Sequence, residues 1–240
     1  MESWPGMLQS QMSSEFLQYL ANNTNGDGDS NQLPSLNELR EELGVSVSRL
    51  REQLEVAKAL GFVEVRPRTG IRRLPFSFLP AVRQSLSYAI KIDREHFEEF
   101  SDLRNHIEAV YWREAVVLLT PQDHKELKKL ISKAWDKLRG PQIQIPHLEH
   151  RQLHMAVFCR LNNPFVLGIL EAYWEAYEAV GLNIYAGYDY LQQVWRYHQE
   201  MVDAICDGDI ERGYRALVEH KDLLYHRPIE SLLAAGETAK

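Results

Sequence analysis

The sequence predicts a mainly α-helical protein in which a small unit with one β-hairpin precedes an all-α bundle. Apolar residues recur at helical spacing through most of the 240 residues, and Pro and Gly separate these segments. One short stretch, residues 62–74, changes to the alternating pattern that is typical of β-strands. These observations favour a helical protein in two parts.

The composition is that of a globular protein outside a membrane. Hydrophobic residues make up 45% and charged residues 25% of the chain, and no run approaches the roughly 18 consecutive apolar residues of a membrane helix. The start, MESWPGMLQS, lacks the segments of a signal peptide. Only Cys159 and Cys206 occur, so no disulfide framework is expected. The expected compartment is the cytoplasm, with no membrane partner.

The first predicted elements are three helices separated by polar turns. Residues 7–21 form the first helix, and the Asn- and Gly-rich loop after it cannot build a core. Ser35, followed three residues later by Glu38, has the spacing of a capping box that begins the second helix. Ser46 is placed to cap the third helix, which Gly61 ends.

A β-hairpin follows these helices. Residues 62–65 and 71–74 alternate as two short strands, with a turn from Pro67 to Gly70. Two helices joined by a tight turn and followed by a hairpin predict a winged helix-turn-helix, whose second helix enters the major groove of DNA. Residues 49–73 carry seven basic and three acidic side chains, a local charge of +4 in a chain of −7. This surface suggests a polyanion partner, although an ordinary solvated face has the same pattern.

Everything after the Pro-rich stretch at residues 75–80 is predicted to be helical. The expected helices cover residues 80–92, 94–119, 121–138, 144–161, 164–184, 188–207 and 209–226. The predicted division of the chain is a DNA-binding domain at 1–74, a linker at 75–80, a helical domain at 81–230 and a tail at 231–240.

Four histidines lie on the apolar faces of three predicted bundle helices. His150 and His154 are four residues apart, so both rings share one helix face with Val157. His198 and His220 interrupt the apolar stripes of the last two helices. A single inward His is usually a satisfied core residue, but four require a shared proton network or a metal ion. A nitrogen-rich ligand set suits Zn²⁺, Ni²⁺, Cu²⁺ or Fe²⁺ rather than Mg²⁺ or Ca²⁺.

Arg104 is another polar residue on an apolar face, that of the predicted helix at 94–119. A buried guanidinium needs an anionic partner. One interpretation is an internal ion pair, for instance with a Glu of a neighbouring helix. The other is that Arg104 binds a carboxylate or phosphate group of a ligand inside the bundle.

Residues 33–74 read LPSLNELREELGVSVSRLREQLEVAKALGFVEVRPRTGIRRL. The Leu-Pro-Ser start, the Leu-Gly-Val-Ser turn and the Arg-Glu pair after it resemble the winged-helix pattern of the GntR family of bacterial transcription regulators. The resemblance implies a homodimer that binds a pseudo-palindromic DNA operator. Asn37 and Val47 stand where the family commonly has arginines that contact DNA. A different operator sequence is therefore expected.

The helical part contains Arg104 with Glu108 four residues later, then HRQLH at 150–154, NNP at 162–164 and HQEMVDAICDGD at 198–209. These motifs resemble the FCD ligand-binding domain of the fatty-acid-regulator branch of the GntR family. The resemblance implies a divalent metal, bound in many members by one Asp and three His. The matching positions here are His150, His154, His198 and His220.

His150 replaces the usual Asp of that ligand set, which removes one negative charge and favours metals that prefer nitrogen. Zinc is the first expectation, with nickel, iron or manganese as alternatives. Arg104 and Asn163, the second Asn of the NNP motif, are the expected effector-binding residues. The resemblance thus implies a small carboxylate effector bound at or beside the metal.

The sequence therefore predicts a cytoplasmic, homodimeric transcription regulator that is controlled by a small organic acid. A repressor is expected, because repressors are more common in the family. The expected DNA contacts come from the helix starts, the third helix and the wing: Ser35, Ser46, Ser48, Arg49, Arg51, Arg66, Arg68, Gly70 and Arg72.

Two alternatives remain open. The helical domain can sense the metal itself without an organic effector, or the chain can be a helical-bundle metalloenzyme. Against an enzyme, the sequence has no Glu-x-x-His pair, no His-Glu-x-x-His, no P-loop and no Gly-x-Ser-x-Gly motif. No catalytic residue is therefore predicted.

Overall fold

A computed structural model describes residues 14–23, 31–180 and 187–225. Within these ranges the chain forms ten helices and two short strands, so the predicted mainly α fold is confirmed. The elements in chain order are α1 (Glu15–Asn22), α2 (Leu36–Leu43), α3 (Val47–Ala59), β1 (Val63–Arg66), β2 (Gly70–Arg73), α4 (Leu79–Ile92), α5 (Glu95–Val117), α6 (Pro121–Arg139), α7 (His147–Phe158), α8 (Pro164–Ala179), α9 (Tyr188–Asp207) and α10 (Ile210–Tyr225).

Two helices begin more than one residue later than the sequence predicts. Helix α1 begins after Ser14, because the Ser14 hydroxyl accepts a hydrogen bond from the Leu17 amide and caps the helix. Helix α7 begins after Pro146, since the residue before a proline disfavours helical backbone. The parts of the predicted elements that lie outside the described residues are 7–13, 181–184 and 226–240.

Contacts divide the chain into two compact units, with the division between Gln84 and Ser85. The limits predicted from the sequence, with a linker at 75–80, remain a prediction. Leu79 and Pro80, at the end of that predicted linker, already belong to α4.

The first unit contains the helix-turn-helix. Helix α2 begins with the predicted capping box, in which Ser35 and Glu38 bond each other's backbone amides. Ser46 caps α3 through the amide of Arg49. Gly61 follows α3 with a φ of +73°, and a Cβ there would lie 2.5 Å from Pro80 Cγ. Both the backbone conformation and the available space therefore require glycine at this position.

The wing is a two-stranded antiparallel hairpin in which Val65 lies opposite Ile71. The Leu33 amide donates to the Ile71 carbonyl at 2.9 Å and attaches the segment before α2 to the hairpin. The core shared by α1, α2, α3 and the wing consists of Phe16, Leu20, Leu39, Leu50, Leu54, Ala57, Val63 and Ile71. This packing leaves the opposite face of α3 exposed.

The second unit is an all-α bundle whose core combines aliphatic and aromatic side chains. Its largest fully buried residues are Trp112, Trp174, Trp195, Arg104, Tyr173, Phe158, Leu127, Leu138 and Leu153. Arg104 is the one charged side chain among these large residues. Among the described helices of the whole chain, none is both long and apolar enough to cross a membrane.

Helix α10 approaches α5 closely at Gly213. A Cβ at that position would lie 2.6 Å from Trp112 Cζ2 of α5. The Trp112 indole also donates to the Ile210 carbonyl at 3.0 Å, at the start of α10. These contacts hold α10 against α5, and about two turns beyond Gly213 the side chain of His220 borders the same crevice as Arg104.

Candidate functional site

Four histidines from three helices meet inside the second unit. His150 and His154 come from α7, His198 from α9 and His220 from α10. One ring nitrogen of each lies within 4.8 Å of the others. His154, His198 and His220 are 2%, 0% and 2% exposed, and His150 is half-buried. The structure therefore brings together the four histidines that the sequence singles out.

Aromatic rings surround the histidine cluster. The ring centroids of His150 and Trp174 are 4.7 Å apart, and those of Trp195 and His198 are 4.8 Å apart. Burial lowers the pKa of all four imidazoles well below 6.5, and nearby cationic side chains, Arg104 among them, lower it further. The rings are therefore neutral at pH 7, which is the form that binds a metal.

Two observations fit a metal ion among these rings. His154 Nε2 and His198 Nε2 are 3.1 Å apart. Nitrogens that each lie about 2.0–2.1 Å from one tetrahedral zinc ion are separated by about 3.3 Å, close to this distance. His150 Nε2 and His198 Nδ1 are buried and have no hydrogen-bond partner among the described residues. Because buried polar atoms normally have a partner, these nitrogens are suited to a bound ion.

Arg104 lies on α5 beside the cluster and is 1% exposed. Its Nη2 lies 2.8 Å from Oε1 of Glu108, one turn later in the same helix, and its Nη1 donates to Asn105 Oδ1 at 3.1 Å. The guanidinium carbon lies 4.6 Å from the ring centroid of Tyr173. Burial raises the pKa of the Glu108 carboxyl, and Arg104 opposes that shift. An internal ion pair is thus present, with its partner on the same helix rather than on a neighbouring one.

The two predicted effector-binding residues have different surroundings. Arg104 and His220 border a crevice that is too narrow for a water molecule. Asn163 instead caps α8, where its Oδ1 accepts hydrogen bonds from two backbone amides at 3.1 and 3.3 Å. Its Nδ2 donates to the Tyr111 hydroxyl at 3.4 Å. Effector binding by Arg104 and Asn163 stays a prediction.

The predicted DNA-binding residues are all exposed in the first unit. They are Ser35, Ser46, Ser48, Arg49, Arg51, Arg66, Arg68, Gly70 and Arg72. Ser35 and Ser46 use their hydroxyls to cap α2 and α3. Arg68 stands in the turn of the wing with a positive φ of 70°. Exposure permits these residues to contact DNA, and that role stays a prediction.

An ion pair that sequence reasoning missed joins α3 to α1. Arg49 Nη2 lies 2.6 Å from Glu15 Oε1, and Gln53 Nε2 donates to Glu15 Oε2 at 2.5 Å. The Gln53 Oε1 accepts from the Phe16 amide at 2.9 Å. The only signal in the sequence is Gln53 itself, a polar residue on the apolar stripe of α3. A predicted DNA contact thus already has an acidic partner.

Comparisons with known proteins agree with this architecture. The family model described as the FCD domain matches residues 99–223. Streptococcus agalactiae GntR is 17% identical, with 88% of this chain and 96% of that chain covered and a TM-score of 0.65, which shows a shared fold.

Two further solved structures have lower TM-scores. E. coli McbR/YncC is 21% identical over 90% of this chain and 97% of its own, with a TM-score of 0.45. Lar, which controls expression of the Listeria monocytogenes agr system, is 14% identical over 94% of this chain and 98% of its own, with a TM-score of 0.48. No curated protein matches the chain.

Proposed function

The chain belongs to the FCD domain family and has the fold of a GntR protein, and we propose that it regulates transcription by binding DNA. It acts in the cytoplasm as a homodimer and a repressor, and it is not an enzyme. A small organic acid, bound at or beside a histidine-ligated metal, releases the operator. One observation carries this proposal: the same chain combines an exposed, basic winged helix with a cluster of four neutral histidines, three of them buried.

The proposed DNA contacts rest on exposure, charge and helix geometry. Arg49 and Arg51 are exposed near the N-terminus of α3, where Ser46 and Ser48 present hydroxyls and the helix dipole favours a phosphate. The wing adds Arg66, Arg68, Gly70 and Arg72. Two copies of α3 in successive major grooves bind half-sites about 34–36 Å apart, so a pseudo-palindromic operator is expected.

The proposed metal is zinc, with nickel, iron or manganese as alternatives, and its ligands are His150, His154, His198 and His220. Their mutual separation and the two ring nitrogens without partners support this assignment. Because four neutral imidazoles carry no charge, a bound divalent ion keeps its positive charge and attracts an anion.

The proposed effector is a small hydroxy-, keto- or sugar acid whose carboxylate contacts Arg104, with Asn163 near the edge of its site. The buried guanidinium supports a carboxylate, since charge-assisted bonds are strong where water is excluded. The crevice at Arg104 is too narrow for a water molecule, so the acid must separate the side chains around it. If the acid binds one arrangement of the bundle helices about 1–3 kcal/mol more favourably than the other, operator occupancy changes.

A second candidate function is a regulator that senses the metal alone. The narrow crevice favours it, because the space beside Arg104 does not hold an organic acid without movement of side chains. The two functions differ in what releases the operator. Zinc titration without any acid changes operator affinity only if the metal itself is the signal.

The test uses the zinc-loaded full chain and an operator selected from random duplexes. Operator affinity is measured with lactate, pyruvate and gluconate as probes of the three acid classes, for wild type and for Arg104→Lys. The substitution keeps a cation beside Glu108 but loses the planar fork that binds a carboxylate. We expect at least one acid to weaken operator binding by wild type, and Arg104→Lys to bind zinc and operator without that response.

The matched control is Arg113→Lys, also on α5. Arg113 pairs with Glu211 and lies 4.7 Å from the ring of Tyr214, but it is exposed. The Arg113→Lys protein should respond to the acid as wild type does. An acid response retained by Arg104→Lys would contradict the assigned role of Arg104.

A further inference from the structure

Two oppositely acting side chains face the same nitrogen of His154. Arg104 Nη2 lies 2.9 Å from His154 Nδ1, and Glu108 Oε1 lies 3.2 Å from that atom. Arg104 can only donate a hydrogen bond, and an ionised Glu108 can only accept one. The two residues therefore favour different positions of the single proton on a neutral ring.

The two proton positions give the His154 ring different contacts. With the proton on Nε2, Nδ1 accepts from Arg104, and Nε2 donates to His198 Nε2 at 3.1 Å. With the proton on Nδ1, the ring can donate to Glu108 Oε1, a buried acceptor with no hydrogen-bond partner among the described residues, and Nε2 has a free lone pair. Only the second form of His154 can bind a metal through Nε2.

We propose that Glu108 is a positioning residue that holds the proton of His154 on Nδ1 and so prepares Nε2 for the metal. This inference rests on the proposed metal centre. The proton leaves Nε2 and one is bound at Nδ1, so the ring stays neutral and the net charge of the cluster does not change. A carboxylate that accepts from the outer nitrogen of a ligand His commonly fixes its tautomer and orientation.

The same change acts on Arg104. Once Nδ1 carries the proton, it no longer accepts a hydrogen bond from the guanidinium, and that N–H becomes available to another acceptor. A carboxylate is the acceptor that suits it best. Metal loading thus frees one N–H of Arg104 beside Glu108.

The direct test is nitrogen NMR of the full chain labelled with ¹⁵N-histidine, recorded with and without zinc. The chemical shift of each ring nitrogen shows whether it is protonated, unprotonated or metal-bound. With zinc, we expect a protonated Nδ1 and a metal-bound Nε2 for His154. If zinc binds the cluster while Nδ1 of His154 stays unprotonated, this inference is wrong and the metal centre stands. If zinc does not bind at all, the proposed metal centre fails, and the inference with it.

Glu108→Gln provides a second readout, because an amide can donate to Nδ1 as well as accept from it. Zinc affinity, measured by competition with a chelator, should fall about 10- to 100-fold. The matched control is Glu211→Gln. Glu211 is an exposed residue of α10 that pairs with Arg113 of α5, the helix that also carries Glu108. This control variant should bind zinc as wild type does. Unchanged zinc affinity in folded Glu108→Gln would overturn the role of Glu108, and the wild-type spectra decide the question if this variant does not fold.

Discussion

The two units of the chain differ in where they place the polar residues assigned to function. In the winged-helix unit, all nine predicted DNA contacts are exposed. In the helical unit, His154, His198 and His220 are buried together with Arg104. An exposed arginine is ordinary on any protein surface, whereas a buried imidazole or guanidinium costs free energy unless something compensates it.

Because the assigned residues are buried in one unit and exposed in the other, different observations support the function of each unit. Burial and geometry single out the four clustered histidines of the helical unit as a candidate metal site. In the first unit, the assignment of α3 to DNA rests on its place in the winged helix and on its charge. Mutations should therefore act on bound metal and stability in one unit, and on DNA affinity in the other.

The largest expected effect is on metal content. Purified protein should contain about one divalent ion per chain, and His198→Ala should lose most of it, because the ring is central to the cluster and 0% exposed. Elemental analysis of protein never exposed to a chelator or a nickel column measures both. His106→Ala, an exposed histidine on α5, is the control and should keep the metal. If the purified protein contains no metal, the helical unit is not a metal-binding unit, and the two units do not differ in the way proposed.

The second effect is a loss of stability in acid. Burial holds the pKa of the four rings below 6.5, so below about pH 6.5 the unfolded chain binds protons that the folded chain does not. Each such proton lowers the free energy of unfolding by about 1.4 kcal/mol per pH unit. In chelator-treated protein, this stability is complete above that pH and is lost as the pH falls towards the depressed values.

Urea unfolding at pH 7.5, 6.5 and 5.5 measures the acid effect. His220→Gln removes one of the four rings, so its stability should fall less steeply with decreasing pH than that of wild type. Equal slopes for the two proteins would mean that His220 is protonated in the folded state as readily as in the unfolded state.

A smaller effect is expected at the DNA-binding surface. Arg51→Ala should weaken operator binding by about 1–3 kcal/mol if the side chain contacts a base edge. A gel shift at fixed salt measures it, with Lys129→Ala in the exposed surface of α6 as the control. An unchanged affinity would remove Arg51 from the proposed contacts.

The smallest effect is expected from the ion pair between α1 and α3. Glu15→Gln keeps a polar partner for Gln53 but removes the carboxylate that neutralises Arg49. Operator affinity should rise by no more than about a few-fold, because exposed ion pairs are weak and screened by salt. Anisotropy titrations at two salt concentrations measure it. A fall in affinity would show that Glu15 orients Arg49 for DNA rather than competing with it.

Periodicity explains why so much of the helical unit could be predicted from the sequence. Helix α9 begins and ends at the predicted residues, since Gly187 precedes it and Gly208, with a φ of 76°, ends it. The same spacing placed His198 and His220 on inward faces. Local spacing also predicted the capping box at the start of α2, because its partners are three residues apart.

The contacts that the sequence did not predict join residues in ways that periodicity does not encode. The sequence suggests a partner for Arg104 on a neighbouring helix, although Glu108 lies four residues further along the same face. Glu15 and Arg49 are 34 residues apart, and only the packing of α1 on α3 brings them together. The width of the crevice beside Arg104 depends on side-chain packing, so no pattern in the sequence could give it.

In the proposed regulation, an acid acts on the operator through the histidine-bound metal. The most direct test is the anisotropy of a labelled operator, titrated with zinc-loaded wild type and with His198→Ala, each with and without lactate, pyruvate and gluconate. We expect one acid to weaken operator binding by wild type about 5- to 150-fold and to leave His198→Ala unaffected. Equal responses in both proteins, or no response of wild type to any of the three acids, would rule out regulation by these acids through the metal.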